Sequence, residues 1–294
     1  MKIEKWFKLN TTELKGKTIA ITGSYGGIAT HSVKYLAKLG ANFIFLNRSK
    51  EKTNNQILKL KEINPEIQAE FIKCDLSNFK EVKDVVKALK TKQIDILFLA
   101  AGVYNVELFK TDSGYNNVFQ TNFLSHYYIV KELLSNIKSV NGKVIAVGSI
   151  AHNYSKIDEI DIDFSNRTKH SKVYGNSKRF LMFALQELAI KENFNLSIIH
   201  PGITLTEMTN HYPKAINWLV KIAIKLIFPN PEKASLNFIK GAFENTGYHE
   251  WIGPKIFNIY GLPKKKNLKT CTEAESKKIF ELSERIYSQI SEET

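Results

Sequence analysis

Between Lys17 and Pro201, short apolar runs alternate with longer amphipathic stretches, which restricts the chain to βαβ units laid into one parallel sheet. The runs that read as strands are Thr18–Thr22, Asn42–Asn47, Ile67–Cys74, Ile94–Ala100, Lys143–Val147 and Asn195–His200. The stretches between them predict helices at about Ile28–Leu39, Ser49–Ile63, Asn78–Lys90, Ser113–Ser139 and Lys172–Glu192, several opened by a capping Ser or Asn. Neither an internal repeat nor a Pro/Ser-rich linker interrupts the series. Residues 1–294 therefore read as one α/β domain, a doubly wound parallel sheet with helices on both faces. Beyond Pro201, Pro213–Gly247 reads as a helical excursion, His249–Gly253 as a last strand and Thr272–Ser288 as a final helix.

Composition narrows the function classes. At 43% hydrophobic and 24% charged residues the chain can bury a sizeable core and is not of the disordered type. Two cysteines, Cys74 and Cys271, far apart, build neither a disulfide framework nor a CxxC site, and a reducing, cytoplasmic compartment is expected. The opening MKIEKWFKLNTTELKGK has no apolar signal core, and no run reaches the 18 apolar residues of a membrane span. Lys and Arg number 42 against 29 Asp and Glu, a balance of +13. The lysines are spread along the chain, the dense Lys264–Lys266 run reads as a solvated loop, and no nucleic-acid motif accompanies them. Nucleic acid is therefore not an expected partner. The seven histidines show no metal-ligand spacing, so no metal is expected.

The first strand runs into Thr22-Gly23-Ser24-Tyr25-Gly26-Gly27-Ile28-Ala29, where a helix begins. Glycine permits a sharp turn and lets backbone approach a pyrophosphate closely, while a helix N-terminus offers free N–H groups to phosphate. The second strand ends at Asn47-Arg48 instead of the acid that would bind a ribose 2′-hydroxyl. A missing acid beside an arginine suits a 2′-phosphate, hence NADP(H) over NAD(H); a solvent-facing arginine is the plain alternative. Asp75 follows the third strand, where its carboxylate suits an adenine amino group, an N-cap, or both.

Tyr174 and Lys178 lie four residues apart at the start of a strongly periodic helix. That spacing puts phenol and ammonium on one face, where the ammonium would favour the phenolate and make a base usable near neutrality. Upstream, the strand Lys143–Val147 ends at Gly148-Ser149 and so places a hydroxyl at the carboxyl edge of the sheet, where ligands of such sheets bind. Asn122 is polar within a largely apolar stretch of helix.

Together TGSYGGIA, Asp75-Leu76, Leu99-Ala100-Ala101-Gly102, Asn122, Ser149, YGNSK and HPGITLTE at His200–Glu207 resemble the short-chain dehydrogenase/reductase family, in that family's chain order, over roughly residues 15–210. FQTNFLSHYYIVKELL, GSIAH, the long interval from Ser149 to Tyr174 and the C-terminal sequence resemble its retinol-dehydrogenase-like branch. The resemblance implies a Rossmann-type sheet and a catalytic tetrad of Asn122, Ser149, Tyr174 and Lys178. Tyr174 would be the acid/base and Ser149 would polarise the reacting oxygen. Lys178 would hold the nicotinamide ribose, and Asn122 would support a water-mediated proton path. Gly23, Gly27 and Ile28 would meet the pyrophosphate, Asp75 with Leu76 the adenine side, Ala101 and Gly102 the ribose side, and Pro201, Gly202 and Thr206 the carboxamide. Three departures stand out: Ala29 for a third glycine, Leu99-Ala100 for an asparagine pair, and Ser125 for a common glycine. The second is expected to cost hydrogen bonding at the sheet edge.

Residues from about 205 to 247, rich in Trp, Ile, Leu and Val up to Phe228, read as a helical substrate lid for a small apolar molecule; a lid buried against the domain is the alternative. Two function classes follow: an NADP(H)-preferring oxidoreductase of apolar carbonyl and alcohol substrates, or a catalytically weak NADP(H)-binding or sensor protein on the same fold. A homodimer and peripheral membrane contact are left open as partners.

Overall fold

The computed structural model describes residues 3–202 and 230–292. Eight strands form one sheet in the order β3-β2-β1-β4-β5-β6-β7-β8. They are β1 (Thr18–Thr22), β2 (Asn42–Asn47), β3 (Ala69–Lys73), β4 (Ile96–Leu99), β5 (Lys143–Val147), β6 (Asn195–Ile199), β7 (Glu250–Ile256) and β8 (Tyr260–Asn267). The pairings from β3 through β7 are parallel; β8 runs antiparallel to β7. The strand order reverses direction at β1 and β4, so the loops after these two strands open a crevice at the carboxyl edge.

Alternation along each strand divides the core into two layers. Ile19, Ile21, Phe43, Phe45 and Phe98 point into one, Ala20, Ile44, Leu46, Leu97 and Leu99 into the other. The first layer is closed by α1 (Ile3–Asn10), α2 (Ala29–Lys38), α3 (Lys50–Ile63) and α8 (Pro231–Phe243). The second is closed by α4 (Phe79–Leu89), α6 (Ser125–Ser139), α7 (His170–Glu192) and α9 (Glu273–Glu292). A short α5 (Asn117–Phe119) enters α6 through a π-helical turn at Gln120–Leu124.

Two expectations need correction, and one element was not foreseen. Lys264–Lys266 belong to β8 and not to a loop: Lys264 and Lys265 are solvated as expected, while Lys266 Nζ donates to Pro254 O and Asn258 Oδ1. Pro263 and the lysines suit this outer strand, because they discourage pairing with another chain. Within the expected lid, Pro231–Phe243 is a sheet-covering helix whose Leu236, Phe238 and Ile239 are buried in the first layer; residues 203–229, with Thr206, lie outside the described residues. Finally, α1 has no counterpart in the sequence reading. Its Trp6 is buried, and Phe7 packs on Tyr35 with ring centres 4.9 Å apart. Among the described residues no helix is long and apolar enough to cross a membrane.

Candidate active site

The crevice is built where β1 and β4 end. Gly23 has φ +66°, and a Cβ there would fall 2.8 Å from Ala101 Cα, so the two loops touch through a position that only glycine fits without strain. Thr22 Oγ1 accepts from both Ala100 N (3.0 Å) and Ala101 N (3.1 Å). The hydrogen-bonding loss expected from Leu99-Ala100 is thus offset from β1. With its lone pairs engaged, the Thr22 hydroxyl must donate to His126 Nε2 (3.0 Å), which leaves Nδ1–H to face Asn122 O at 3.3 Å. Ser125, the third departure, donates its hydroxyl to Leu76 O at 2.6 Å and ties α6 to the loop after β3.

Asn47 sits beneath the glycine loop and not on its open face. Its Oδ1 accepts from Ser24 N (3.0 Å), and its Nδ2 donates to Ser24 Oγ (2.8 Å) and Thr53 Oγ1 (2.9 Å). Buried and with both amide hydrogens used, it supports the loop, which corrects its expected place among cofactor contacts. Gln56, which no sequence pattern singles out, completes this support through Ser24 Oγ and O. Arg48 is exposed at the end of β2. The α2 N-terminus has no side-chain cap at Ile28; Thr30 N donates to Gly26 O (3.0 Å) and His31 N to Ile28 O (3.1 Å) within the loop. Asp75 closes its own turn by accepting from Ser77 N (2.9 Å) and Ser77 Oγ (2.7 Å), and Leu76 is buried.

Gly175 brings α7 against the loop after β5, since a Cβ there would meet Ala151 O at 2.5 Å. Tyr174, one residue earlier, is thereby within hydrogen-bonding reach of the Ser149 hydroxyl. Burial pushes the phenol up to about 12; the Ser149 bond works against that shift, and Tyr104 and Tyr154 add to it. Lys178 lies over the face of the Tyr174 ring. Its Nζ is 5.9 Å from the Tyr174 ring centre and donates to Val147 O at 2.8 Å. Burial pushes this amine down to about 8. Asn122 lies in the π-helical turn, its Oδ1 accepting from Val103 N (2.7 Å) and its Nδ2 donating to Val103 O (2.9 Å) and Ser177 Oγ (3.0 Å). A Cβ on Gly102 would lie 3.3 Å from Asn122 Oδ1 and 3.4 Å from Lys178 Nζ, so the bare backbone of Gly102 connects the glycine loop to the polar cluster. Pro201 and Gly202 follow β6; Gly202 has φ +86° and approaches Ile259 O.

This arrangement fits a dinucleotide. The Lys178 ammonium is 2% exposed, has three donors and spends one on Val147 O, beside a glycine-floored crevice and an uncapped helix N-terminus. Cavities of about 330 and 380 Å³ elsewhere in the molecule are lined by none of the tetrad.

A family profile described as short chain dehydrogenase matches residues 17–217, and the chain belongs to that family. Its relatives put it in the retinol-dehydrogenase-like branch. It is 27% identical to human polyprenol dehydrogenase over 249 residues, 78% of this chain and 74% of that protein. It is 28% identical to mouse retinol dehydrogenase 13 over 207 residues, 67% of this chain and 61% of that protein. Among solved structures, L-sorbose reductase from Gluconobacter frateurii, in complex with NADPH and L-sorbose, superposes with a TM-score of 0.61 at 20% identity, covering 79% of this chain and 92% of that one. At that identity the likeness speaks for the fold. The family makes the protein an NAD(P)-dependent oxidoreductase acting on CH–OH/C=O groups.

Three buried histidines carry a pH prediction. Burial is the main cause that holds His126 down to about 3, His152 to about 4 and His200 to about 3; the Lys178 charge adds to it at His126. The unfolded chain, with ordinary values near 6.5, takes up these protons first as pH falls. Their contribution to stability is complete above about pH 6.5 and shrinks below it, by about 1.4 kcal/mol per pH unit for each histidine fully engaged. Urea unfolding at pH 7, 6 and 5 should show the midpoint falling through this window; a flat profile would contradict the burial of neutral imidazoles.

Proposed function

We propose that the protein is an NADP(H)-preferring oxidoreductase of apolar carbonyl and alcohol substrates, of the retinal-, steroid- or lipid-like kind. The observation that carries the reading is the convergence of Ser149, Tyr174, Lys178 and Asn122 at the sheet's carboxyl edge, next to an apolar cluster. In that cluster Val118, Phe164 and Val173 are buried, with Val103, Val106, Leu108 and Tyr174 packed against them. A polar quartet beside an apolar wall suits a substrate with one oxygen and a hydrocarbon body.

When bound, the dinucleotide supplies or accepts the hydride at nicotinamide C4. Gly23, Gly27 and Ile28 would hold the pyrophosphate, Asp75 and Leu76 the adenine side, and Ala101 and Gly102 the ribose side. Lys178 would donate to the ribose hydroxyls, and Pro201, Gly202 and Thr206 would meet the carboxamide. Ser149 would donate to the substrate oxygen. Tyr174, whose phenol keeps its proton at neutral pH, would give that proton to the developing alkoxide. Asn122, with its side chain spent on Val103 and Ser177, fixes the loop that carries Gly102.

Arg48 is exposed at the end of β2 and forms no ion pair among the described residues, which supports a 2′-phosphate partner. The test is oxidation of NADPH and NADH over straight-chain aldehydes and ketones of increasing length. NADPH should be preferred and kcat/KM should rise with chain length, since each buried methylene contributes about 0.8 kcal/mol. Arg48→Ala should weaken NADPH binding by about tenfold and leave NADH binding unchanged. Equal effects on both cofactors, or a preference for short or charged carbonyls, would count against the reading. A cytoplasmic location, a homodimer and contact with a membrane surface through residues 216–228 complete it; cell fractionation, sedimentation and vesicle flotation test them.

A further inference from the structure

Arg179 directly follows the tetrad lysine in sequence, yet it turns away from the crevice. It is 3% exposed, and a guanidinium so buried must find partners for its donors. Its Nε and Nη2 donate to the two carboxylate oxygens of Glu275 at 2.8 and 2.6 Å, a bidentate pair with the first turn of α9. Nη2 also donates to Thr270 O (2.9 Å), and Nη1 donates to His152 O (3.1 Å).

His152 in turn holds the serine loop. Its Nδ1 lies 2.6 Å from Ser149 O, and because a carbonyl only accepts, Nδ1 carries the proton. Nε2, 2.6 Å from Thr270 Oγ1, is then the acceptor of the threonine hydroxyl. Burial, with the Arg179 charge beside it, keeps the imidazole neutral in this tautomer. The ring is also wedged edge-on between Phe183 and Trp251, and Trp251 stacks on His200, the residue before Pro201-Gly202.

We propose that α9 positions the catalytic serine through this relay, Glu275 to Arg179 to His152 to Ser149. Glu275 lies beyond the stretch that matches the family profile, residues 17–217. The assignment rests on the proposed role of Ser149. Glu275 and Arg179 touch no reacting atom and are positioning residues. Without the Glu275 carboxylate the buried guanidinium loses its counter-charge and must seek water, which releases His152 O and frees the imidazole to rotate. The Ser149 carbonyl then loses the shorter of its two bonds and keeps only the one from His152 N (3.1 Å), so the turn from which its hydroxyl projects is held less tightly.

The test is Glu275→Ala and the milder Glu275→Gln, read by turnover, by NADPH affinity from fluorescence, and by the nitrogen NMR signature of the His152 tautomer. In Glu275→Ala the Nδ1–H signature should be lost and kcat should fall about 10- to 100-fold, while NADPH affinity stays within about twofold. Glu275→Gln, which keeps one acceptor for Arg179 and so remains folded if the alanine variant does not, should give an intermediate kcat and a partly retained signature. A merely structural role would lower the melting temperature and leave kcat and the tautomer unchanged below it, and that result would overturn the proposal. The tautomer is read without turnover, so failure of the relay stays distinguishable from failure of the functional reading, which Tyr174→Phe decides.

Discussion

Replacing Tyr174 by Phe is expected to lower turnover by about 100-fold or more while the dinucleotide still binds. The substitution removes one oxygen and leaves the ring in place, and the ring is what packs: Tyr104 meets it edge-on at 4.9 Å between centres. What disappears is the hydroxyl bonded to Ser149, the group placed to give a proton to substrate oxygen. Lys178 keeps its bond to Val147 O in this variant because it makes none to Tyr174, so its two remaining donors stay available to cofactor. The measurements are kcat with the best aldehyde of the chain-length series and NADPH affinity by fluorescence. Unaltered turnover would remove Tyr174 from the chemistry; lost NADPH binding would show that the phenol supports the crevice instead.

The parts of this site carried by short spacings were legible in the sequence. Tyr174 and Lys178 need only a helix to share a face, and the glycine loop needs only a strand before it and a helix after it. Long-range partners were not legible. Asn47 reads as a cofactor contact because it ends β2, yet its amide is consumed by Ser24 and Thr53, one of them 23 residues away. The spacing argument also let Lys178 lower the Tyr174 phenol, whereas burial, which no local pattern reports, raises it. Leu99-Ala100 looked costly because the compensating Thr22 hydroxyl comes from 78 residues upstream. The strand β8 was hidden by its composition: lysines and a proline read as loop, and the same residues protect an outer strand. The Arg179–Glu275 pair spans 96 residues, and nothing near Glu275 distinguishes it from the other acids of an amphipathic helix.

The larger loss of cofactor affinity is expected from Gly23→Ala, and a second glycine separates its two causes. Gly23 has φ +66° and Gly114 φ +81°, so an alanine at either costs about 1–2 kcal/mol in backbone strain. They differ in surroundings. A Cβ at Gly114 meets nothing within 4 Å, whereas at Gly23 it falls 2.8 Å from Ala101 Cα and 2.9 Å from Ala101 Cβ. Backbone cannot step aside as a flexible side chain can, so the loops after β1 and β4 must separate. Ala101 is held to Thr22 Oγ1, and the next residue, Gly102, abuts Asn122 and Lys178, so the displacement reaches both the proposed phosphate loop and the polar cluster. Gly114→Ala should therefore lower the melting temperature by a few degrees and leave NADPH affinity within about twofold. Gly23→Ala should lower it further and weaken NADPH binding by about 100-fold, the effect of a displacement near 1 Å at a site that depends on close backbone approach. If the two variants lose stability alike and bind NADPH alike, strain alone acts at Gly23, and the contact between the two loops does not shape the cofactor crevice.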